Sequence, residues 1–413
     1  MIHQELFGKM KIISINVLFD SGSTGKLVGV LHRYLISRNQ ESIVLFGRGN
    51  KTSYKDAYKI CSNFYARVNK VWNSLTGIRF GGAFFSTFRA IRIIKKQNPD
   101  IVHLHCINGD FINVFHLLNW LKNNKIKTIL TLHAEFMFTA YCSHSIDCEK
   151  WKTGCNGCPM VQKKKVLFPF FKPNYSWNKM QKCFNGFDNL IITSVSPWLL
   201  NRAKQSPFFK EKHHFVILNG VDETVFKYYN VECLKNSLIT NKQKVVFHAT
   251  PFFDDDESNL KGGYFLLRLA KEMPDVVFVV AGKHAHNIVV PNNVLLLGQV
   301  SDQIQLAKYY SMSDLTLIVS QRETFSMVVA ESLCCGTPVV GFKAGGPESI
   351  APSNYSSFVP WGDIDRLKLA VNDMLIQPFD KKQISESAIS MFSKETLCEE
   401  YESLYFRMIN KAF

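Results

Sequence analysis

Short, uninterrupted apolar runs recur along this chain, separated by stretches of helical length. In the first half they are 11–18 (KIISINVL), 42–47 (SIVLFG), 100–105 (DIVHLH), 127–132 (KTILTL) and 190–193 (LIIT). In the second half they are 244–248 (KVVFH), 276–281 (VVFVVA), 294–297 (VLLL), 315–319 (LTLIV) and 338–342 (PVVGF). Apolar on consecutive rather than alternate positions, they predict strands covered on both faces, as in a parallel sheet. Helical spacing follows at 27–35, 262–273, 303–311, 325–335, 364–376 and 394–410. Between the halves lies HHFVILNGVDETVFKYYN; its Asn-Gly turn sets a linker near 219–240. The expected class is α/β, with two doubly wound, Rossmann-like domains facing a central cleft. Ligands are expected at the carboxyl ends of the strands.

The chain's 413 residues, 46% of them hydrophobic, exceed what one core holds. No 18-residue apolar run predicts a membrane span, and the N-terminus reads as a first buried strand without a signal pattern. A cytoplasmic protein is expected. Residues 1–250 carry 35 Lys and Arg against 14 Asp and Glu, a net +21, while residues 251–413 carry 14 against 20, a net −6. Such asymmetry points the first half toward an anionic surface. Two of its stretches mix basic residues with Phe and Trp: 68–97 has Arg and Lys, and 163–184 has Lys alone. Such stretches can bind nucleic acid or the anionic face of a membrane, and no nucleic-acid fold signature accompanies them.

Four of the eleven cysteines crowd together as Cys142, Cys148, Cys155 and Cys158-Pro159. In a chain without an export signal this spacing suggests a closed, structural zinc site, with His144 as a substitute ligand. Free thiols, disulfides or an iron–sulfur centre are the alternatives.

Among candidate loops, Gly22-Ser23-Thr24-Gly25 follows the first strand, where glycines admit a phosphate or sugar. It is no P-loop, because Asp20 stands at the required glycine and Leu27 at the Mg²⁺-binding hydroxyl. Glu323 and Glu331 are separated by seven residues, the first preceding a helix and the second inside it two turns further on, and Gly336-Thr337-Pro338-Val339-Val340 follows as a helix stop and strand start. Gly345-Gly346-Pro347-Glu348 makes a second glycine turn.

Taken together, these motifs resemble those of glycosyltransferase family 4, the retaining enzymes of GT-B fold, over nearly the whole chain. The carrying residues are Glu323 and Glu331 with GTPVV, Asn219-Gly220-Val221-Asp222 with Phe226, Lys261-Gly262, Gly22–Gly25, and His103, His105 and His133 at strand ends. The likeness is greatest to bacterial enzymes of colanic acid, capsule and O-antigen synthesis. It implies an acceptor-side domain at 1–225 with a cysteine-rich insertion at 142–158. A nucleotide-sugar domain at 226–393 follows, then a helix at 394–413 crossing back to the first domain. The resemblance further implies that Glu331 binds the ribose, Glu323 the donor sugar, and Lys261 the diphosphate. Gly22, Ser23, Thr24 and Gly25 would approach the phosphates, His133 would stand beside the sugar, and the backbone of Thr324, Phe325, Ser326 and Met327 would cap the phosphate. His133, Lys261 and Glu323 are thus the expected catalytic residues, without a catalytic cofactor.

Two departures stand out. Asp256 occupies the place of an expected phosphate-clamping Arg, which Arg322 would have to replace, and Ala134 follows His133 where Asp is usual. The expected function is transfer of a sugar from a UDP- or GDP-sugar to a growing, lipid-linked surface polysaccharide, by an enzyme peripheral at the inner face of the cell membrane. For an enzyme whose acceptor is lipid-linked, the anionic membrane is the expected partner of the two basic-aromatic stretches, not nucleic acid. A GT-B nucleotide-sugar epimerase and a non-catalytic nucleotide-sugar-binding partner are the rival readings.

Overall fold

The computed structural model describes residues 8–159, 172–239 and 243–412. They divide into two compact units. One holds residues up to Ile217 together with Cys398–Phe413, and the other holds Leu218–Leu397.

The first unit is built on a seven-stranded parallel sheet. Its strands are β1 (Lys11–Asn16), β2 (Glu41–Phe46), β3 (Ala57–Lys59), β4 (Ile101–Leu104), β5 (Thr128–Leu132), β6 (Leu190–Ser194) and β7 (His213–Val216). The order is β3-β2-β1-β4-β5-β6-β7. All strands run parallel, and the order in which successive strands are added reverses between β1 and β4, where Ile13 stands between Ile43 and Val102. The second unit has β8 (Lys244–Phe253), β9 (Val276–His284), β10 (Val294–Gly298), β11 (Leu315–Ile318), β12 (Val339–Phe342) and β13 (Ser356–Val359), in the order β10-β9-β8-β11-β12-β13. Its core packs Val246, Phe278 and Leu317 of the strands against Leu266, Leu269, Leu367 and Val371 of the covering helices. Each sheet is thus doubly wound, and each has its switch point at its first strand.

Three strands had no counterpart in the sequence pattern: β3, β7 and β13. All three are sheet edges, and none contains a fully buried residue. Each has a strand neighbour on one side only and is at most half-buried, which leaves it a mixed composition, whereas the remaining edge, β10, keeps an apolar run. The helix Lys381–Phe392 also escaped notice, because its buried face is small and polar, with Ser385 and Ala388 beside Ile384 and Phe392.

The unit boundary falls eight residues before the expected one. Val221 donates to the Phe392 carbonyl at 2.7 Å and accepts from Lys394 N–H at 3.0 Å. Asp222 pairs with Lys394 Nζ at 2.8 Å, and Phe226 is buried beside the Tyr310 ring. The Asn-Gly-Val-Asp segment is therefore a structural part of the second unit. The last helix, Lys394–Ile409, contributes its residues from 398 onward to the first unit. There Tyr405 meets His103 Nδ1 at 2.7 Å, Tyr401 meets Thr131 Oγ1 at 2.9 Å, and Tyr34 donates to Glu402 at 3.1 Å.

Candidate functional site

In the second unit, the loop after β8 turns into the helix Gly263–Glu272. Asn259 Oδ1 accepts the Lys261 N–H at 3.0 Å. Gly262 follows with φ +71°, and a Cβ there would stand 2.0 Å from the Val319 carbonyl oxygen. Only glycine fits, and the fit brings Lys261 to the carboxyl end of β11. Lys261 Nζ donates to Glu323 Oε1 at 2.6 Å.

Glu323 is itself tied by its backbone. It donates to the Ala344 carbonyl at 3.1 Å and accepts from Gly346 N–H at 2.8 Å. Gly346 has no room for a side chain, since a Cβ would lie 2.5 Å from Phe325 N. The two glycine-bearing turns therefore hold the loop 322–327 from both sides. Phe325 is buried, and Ser326 takes φ +86°, a strained value for a non-glycine residue. The helix Met327–Cys334 starts there, and its first N–H groups have no partner within the helix.

Glu331 lies inside that helix and accepts the Tyr310 hydroxyl at 3.1 Å. Tyr310 is fully buried, and burial first, then the neighbouring carboxylate, push its phenol well above the ordinary value. It therefore remains a donor. Glu331 lines a cavity of about 470 Å³ at the ends of β8 and β9, together with Thr250, Gly282, Lys283, Gln299 and Met327. That volume suits a small organic ligand. Lys261 and Glu323 lie outside its lining.

The acidic run before Lys261 is solvated. Asp255, Asp256 and Glu257 are exposed. Asp254 and Asp256 have an Asp-x-Asp spacing, but Asp254 accepts from Asn259 and Asp256 from Ser258 N–H and Oγ. The Ser258 hydrogen bonds hold the Asp256 carboxyl below its ordinary value.

In the first unit, the helix Gly22–Ser37 begins inside the Gly22–Gly25 loop. Asn16, the last residue of β1, reaches Leu18 O at 2.7 Å and Thr24 Oγ1 at 3.5 Å, and it accepts from Cys106 N–H at 3.0 Å. Asn16 thus joins the ends of β1 and β4. Sequence reading passed over it, although a polar residue closing an apolar strand was the available signal. Nearby, His105 Nδ1 stands 3.3 Å from His133 Nε2, and the His103 and His105 rings are 3.9 Å apart. Burial lowers His103 to about 3 and His133 to about 4, so these imidazoles are neutral. His103 is a core residue, bonded to Tyr405 and Thr131.

The cysteine loop is anchored by groups the sequence did not reveal. Buried Glu135 accepts from Ser145 N–H at 2.7 Å and faces Arg202 Nε at 3.3 Å. Trp151 is buried, and its carbonyl accepts from Trp177 Nε1 at 2.6 Å. Cys142, Cys148, Cys155 and Cys158 are all free. Burial, with the neighbouring thiols adding to it, pushes Cys142 up to about 11 and Cys155 to about 12. As they stand, no three His, Cys, Asp or Glu among the described residues are grouped to hold a metal ion.

The sequence matches the family model Glycosyltransferase Family 4 over residues 25–225 and Glycosyl transferases group 1 over residues 258–391. The chain belongs to the family 4 glycosyltransferases. It is 20% identical to the putative colanic acid biosynthesis glycosyl transferase WcaC of Escherichia coli, over 96% of this chain and 99% of that one. It is 24% identical to N-acetyl-alpha-D-glucosaminyl L-malate synthase of Bacillus anthracis, over 53% of this chain and 60% of the relative. The chain thus spans three-fifths of that relative. Among solved structures, HepE of Anabaena in complex with UDP overlays with a TM-score of 0.63 at 16% identity, covering 96% of this chain and 99% of HepE. The overlay shows that this family 4 chain has the GT-B class of fold.

Proposed function

We propose that the chain is a retaining glycosyltransferase that moves a sugar from a UDP- or GDP-sugar to a growing, lipid-linked surface polysaccharide. The reading rests on one observation above all. In the second unit, a buried tyrosine orients Glu331 in a ligand-sized cavity at the strand ends, while Lys261 and Glu323 are held by tight turns nearby. A carboxylate at Glu331 suits two ribose hydroxyls, and Glu323 suits those of the donor sugar. The Lys261–Glu323 pair is part-exposed, so it is worth roughly 1 kcal/mol or less. A diphosphate can therefore draw Lys261 away from Glu323 at little cost. Lys261 then neutralises the leaving phosphate, and the backbone of 324–327 caps it. No step needs a catalytic metal ion. The UDP complexes of HepE support a nucleotide-sugar donor. WcaC and the uncharacterized 41.2 kDa protein in the cps region of Klebsiella pneumoniae, 23% identical over 85% of this chain and 92% of its own length, support a polysaccharide product.

In the first unit, Gly22–Gly25 and His133 lie at strand ends, the side of a parallel sheet where ligands bind. Their roles toward the donor phosphates and sugar are part of the proposal, as is Arg322 as a phosphate ligand. No helix among the described residues is long and apolar enough to cross a membrane. We place the enzyme at the inner face of the cell membrane as a peripheral protein. The four loop cysteines are proposed to take one structural zinc, which would draw the sulfurs together and displace their protons.

A panel of UDP- and GDP-sugars tested by thermal shift, followed by transfer assays with lipid-linked and lipid-free acceptors, tests the reading. One donor should stabilise the protein and be consumed. Tight donor binding with no turnover on any acceptor would favour a non-catalytic nucleotide-sugar-binding protein, and conversion of the donor to its epimer would favour an epimerase.

A further inference from the structure

Two neighbouring helices of the first unit leave large apolar side chains exposed, and the first of them turns its polar face inward. In Asn63–Thr76, the buried positions are Ala66, Asn69 and Asn73, whereas Phe64, Val68, Val71, Trp72 and Leu75 are exposed. Spacings of 3, 4 and 7 residues place these five on one face. The inward asparagines have local work: Asn69 Oδ1 accepts from Ala83 N–H at 3.0 Å, and Asn73 Nδ2 donates to Asp110 at 2.7 Å. The polar face therefore fastens the helix to the end of the loop that follows it and to the loop after β4, and the apolar face is left in water. The next helix, Phe84–Gln97, begins with exposed Phe84, Phe85 and Phe88 and buries Thr87, Ala90, Ile91 and Ile94. The two apolar faces adjoin, since the Tyr65 and Phe85 rings are 5.9 Å apart. Phe85 is 79% exposed, Phe64 76% and Trp72 55%. Eight of the twenty exposed large hydrophobic side chains recorded among the described residues lie within these two helices.

Charge decides what covers this surface. Between residues 57 and 99 the chain has eight Lys and Arg and no Asp or Glu. Arg67, Lys70, Arg89, Arg92, Lys95 and Lys96 are exposed on the same two helices. A second copy of the chain would bring the same positive charges face to face, whereas an anionic bilayer neutralises them. Aromatic side chains bordered by Arg and Lys are also the composition of an interfacial helix.

We propose that the exposed face of helices Asn63–Thr76 and Phe84–Gln97 is a membrane-docking surface for anionic lipid, with Phe64, Trp72 and Phe85 entering the headgroup region and the surrounding Arg and Lys meeting lipid phosphates. This deepens the lipid-linked-acceptor reading and rests on it for its purpose, though not for its chemistry. The other basic-aromatic stretch contains Lys163, Lys164 and Lys165, which lie outside the described residues.

The test is sedimentation of the full chain with vesicles of phosphatidylcholine alone or with about one-third phosphatidylglycerol. The wild type should bind the anionic vesicles and be released as salt rises toward ~0.5 M, where the Debye length is only a few ångströms. The triple variant Phe64→Ser, Trp72→Ser, Phe85→Ser should lose binding by about tenfold or more. The pair Arg89→Glu, Arg92→Glu should abolish the preference for anionic over neutral vesicles. All of these positions are solvent-exposed, so melting temperature and nucleotide-sugar affinity should hold. Wild-type and triple-variant proteins that sediment equally would overturn the proposal. So would a wild type that dimerises through this face, becomes monomeric in the triple variant and ignores vesicles. Vesicle binding by a chain that binds no nucleotide sugar would sink the transferase reading and leave the docking surface standing.

Discussion

Replacing Glu331 with Gln isolates the charge of the proposed ribose clamp. The substitution keeps a side-chain oxygen for the Tyr310 hydroxyl, now 3.1 Å from Glu331 Oε2, so the buried phenol keeps its acceptor and the fold is spared. What is lost is the charged character of the bonds to two ligand hydroxyls. A hydrogen bond to a charged group is worth about 1.5–3 kcal/mol and a neutral one about 0.5–1.5 kcal/mol, so two bonds lose about 2–3 kcal/mol together. At 1.4 kcal/mol per decade, Kd for the nucleoside diphosphate should rise about 30- to 150-fold. Glu331→Ala should weaken binding at least as much and should also lower the melting temperature, because it orphans the Tyr310 hydroxyl at about 1–3 kcal/mol. Titration calorimetry with UDP and GDP, beside thermal melts, reads both effects. If Glu331→Gln melts like the wild type and binds the preferred nucleotide within about threefold of it, the clamp is not at Glu331.

Three other outcomes follow from the same structure. Lys261→Ala should lower turnover by about 100- to 1,000-fold, as loss of a group that stabilises developing charge does, and raise donor Kd by much less; equal effects on both would mean that Lys261 binds donor and transition state alike. Purified protein should carry about one zinc per chain by elemental analysis, and Cys155→Ser with Cys158→Ser should remove it; metal-free protein with four titratable thiols would end the zinc proposal. Acid should destabilise the first unit through His103 and His133, whose folded values near 3 and 4 lie below the ordinary 6.5. The unfolded chain binds more protons than the folded one between those limits, so this contribution is complete above about pH 6.5 and drains away as pH falls toward 4. Urea titrations at pH 7 and pH 5 should show the loss, and it should shrink in His133→Asn; a variant that loses as much as the wild type would place the acid sensitivity elsewhere.

The central strands were legible because burial on both faces writes itself as consecutive apolar residues. Ile12, Ile13 and Ile15 of β1 and Val245, Val246 and Phe247 of β8 are fully buried. The edge strands β3, β7 and β13 and the helix Lys381–Phe392 were not, since half-burial leaves a mixed composition that periodicity cannot separate from loop. Around the candidate site, the glycines and carboxylates were visible as motifs because close approach tolerates no other residue: Gly262 against Val319 and Gly346 against Phe325 are physical constraints that a sequence must record. Tyr310 left no such mark. It lies 21 residues before Glu331 in a helix of ordinary composition, and only the fold brings its hydroxyl to the carboxylate. Glu135 and Arg202 were hidden in the same way, since 67 residues separate the partners of that buried pair. The exposed face of Asn63–Thr76 was half legible: its mixture of bases and aromatics was plain, but the sequence alone would have turned that face inward, because an apolar stripe normally seeks the core.

The stereochemistry of transfer tests the central claim most directly. With the donor chosen by thermal shift, the configuration at the anomeric carbon can be followed by proton NMR from donor to glycan product. A product with the same anomeric configuration as the donor sugar, formed by wild type and lost in Lys261→Ala, is the predicted result. A product of opposite configuration, or a bound donor never consumed by any acceptor, would contradict the account.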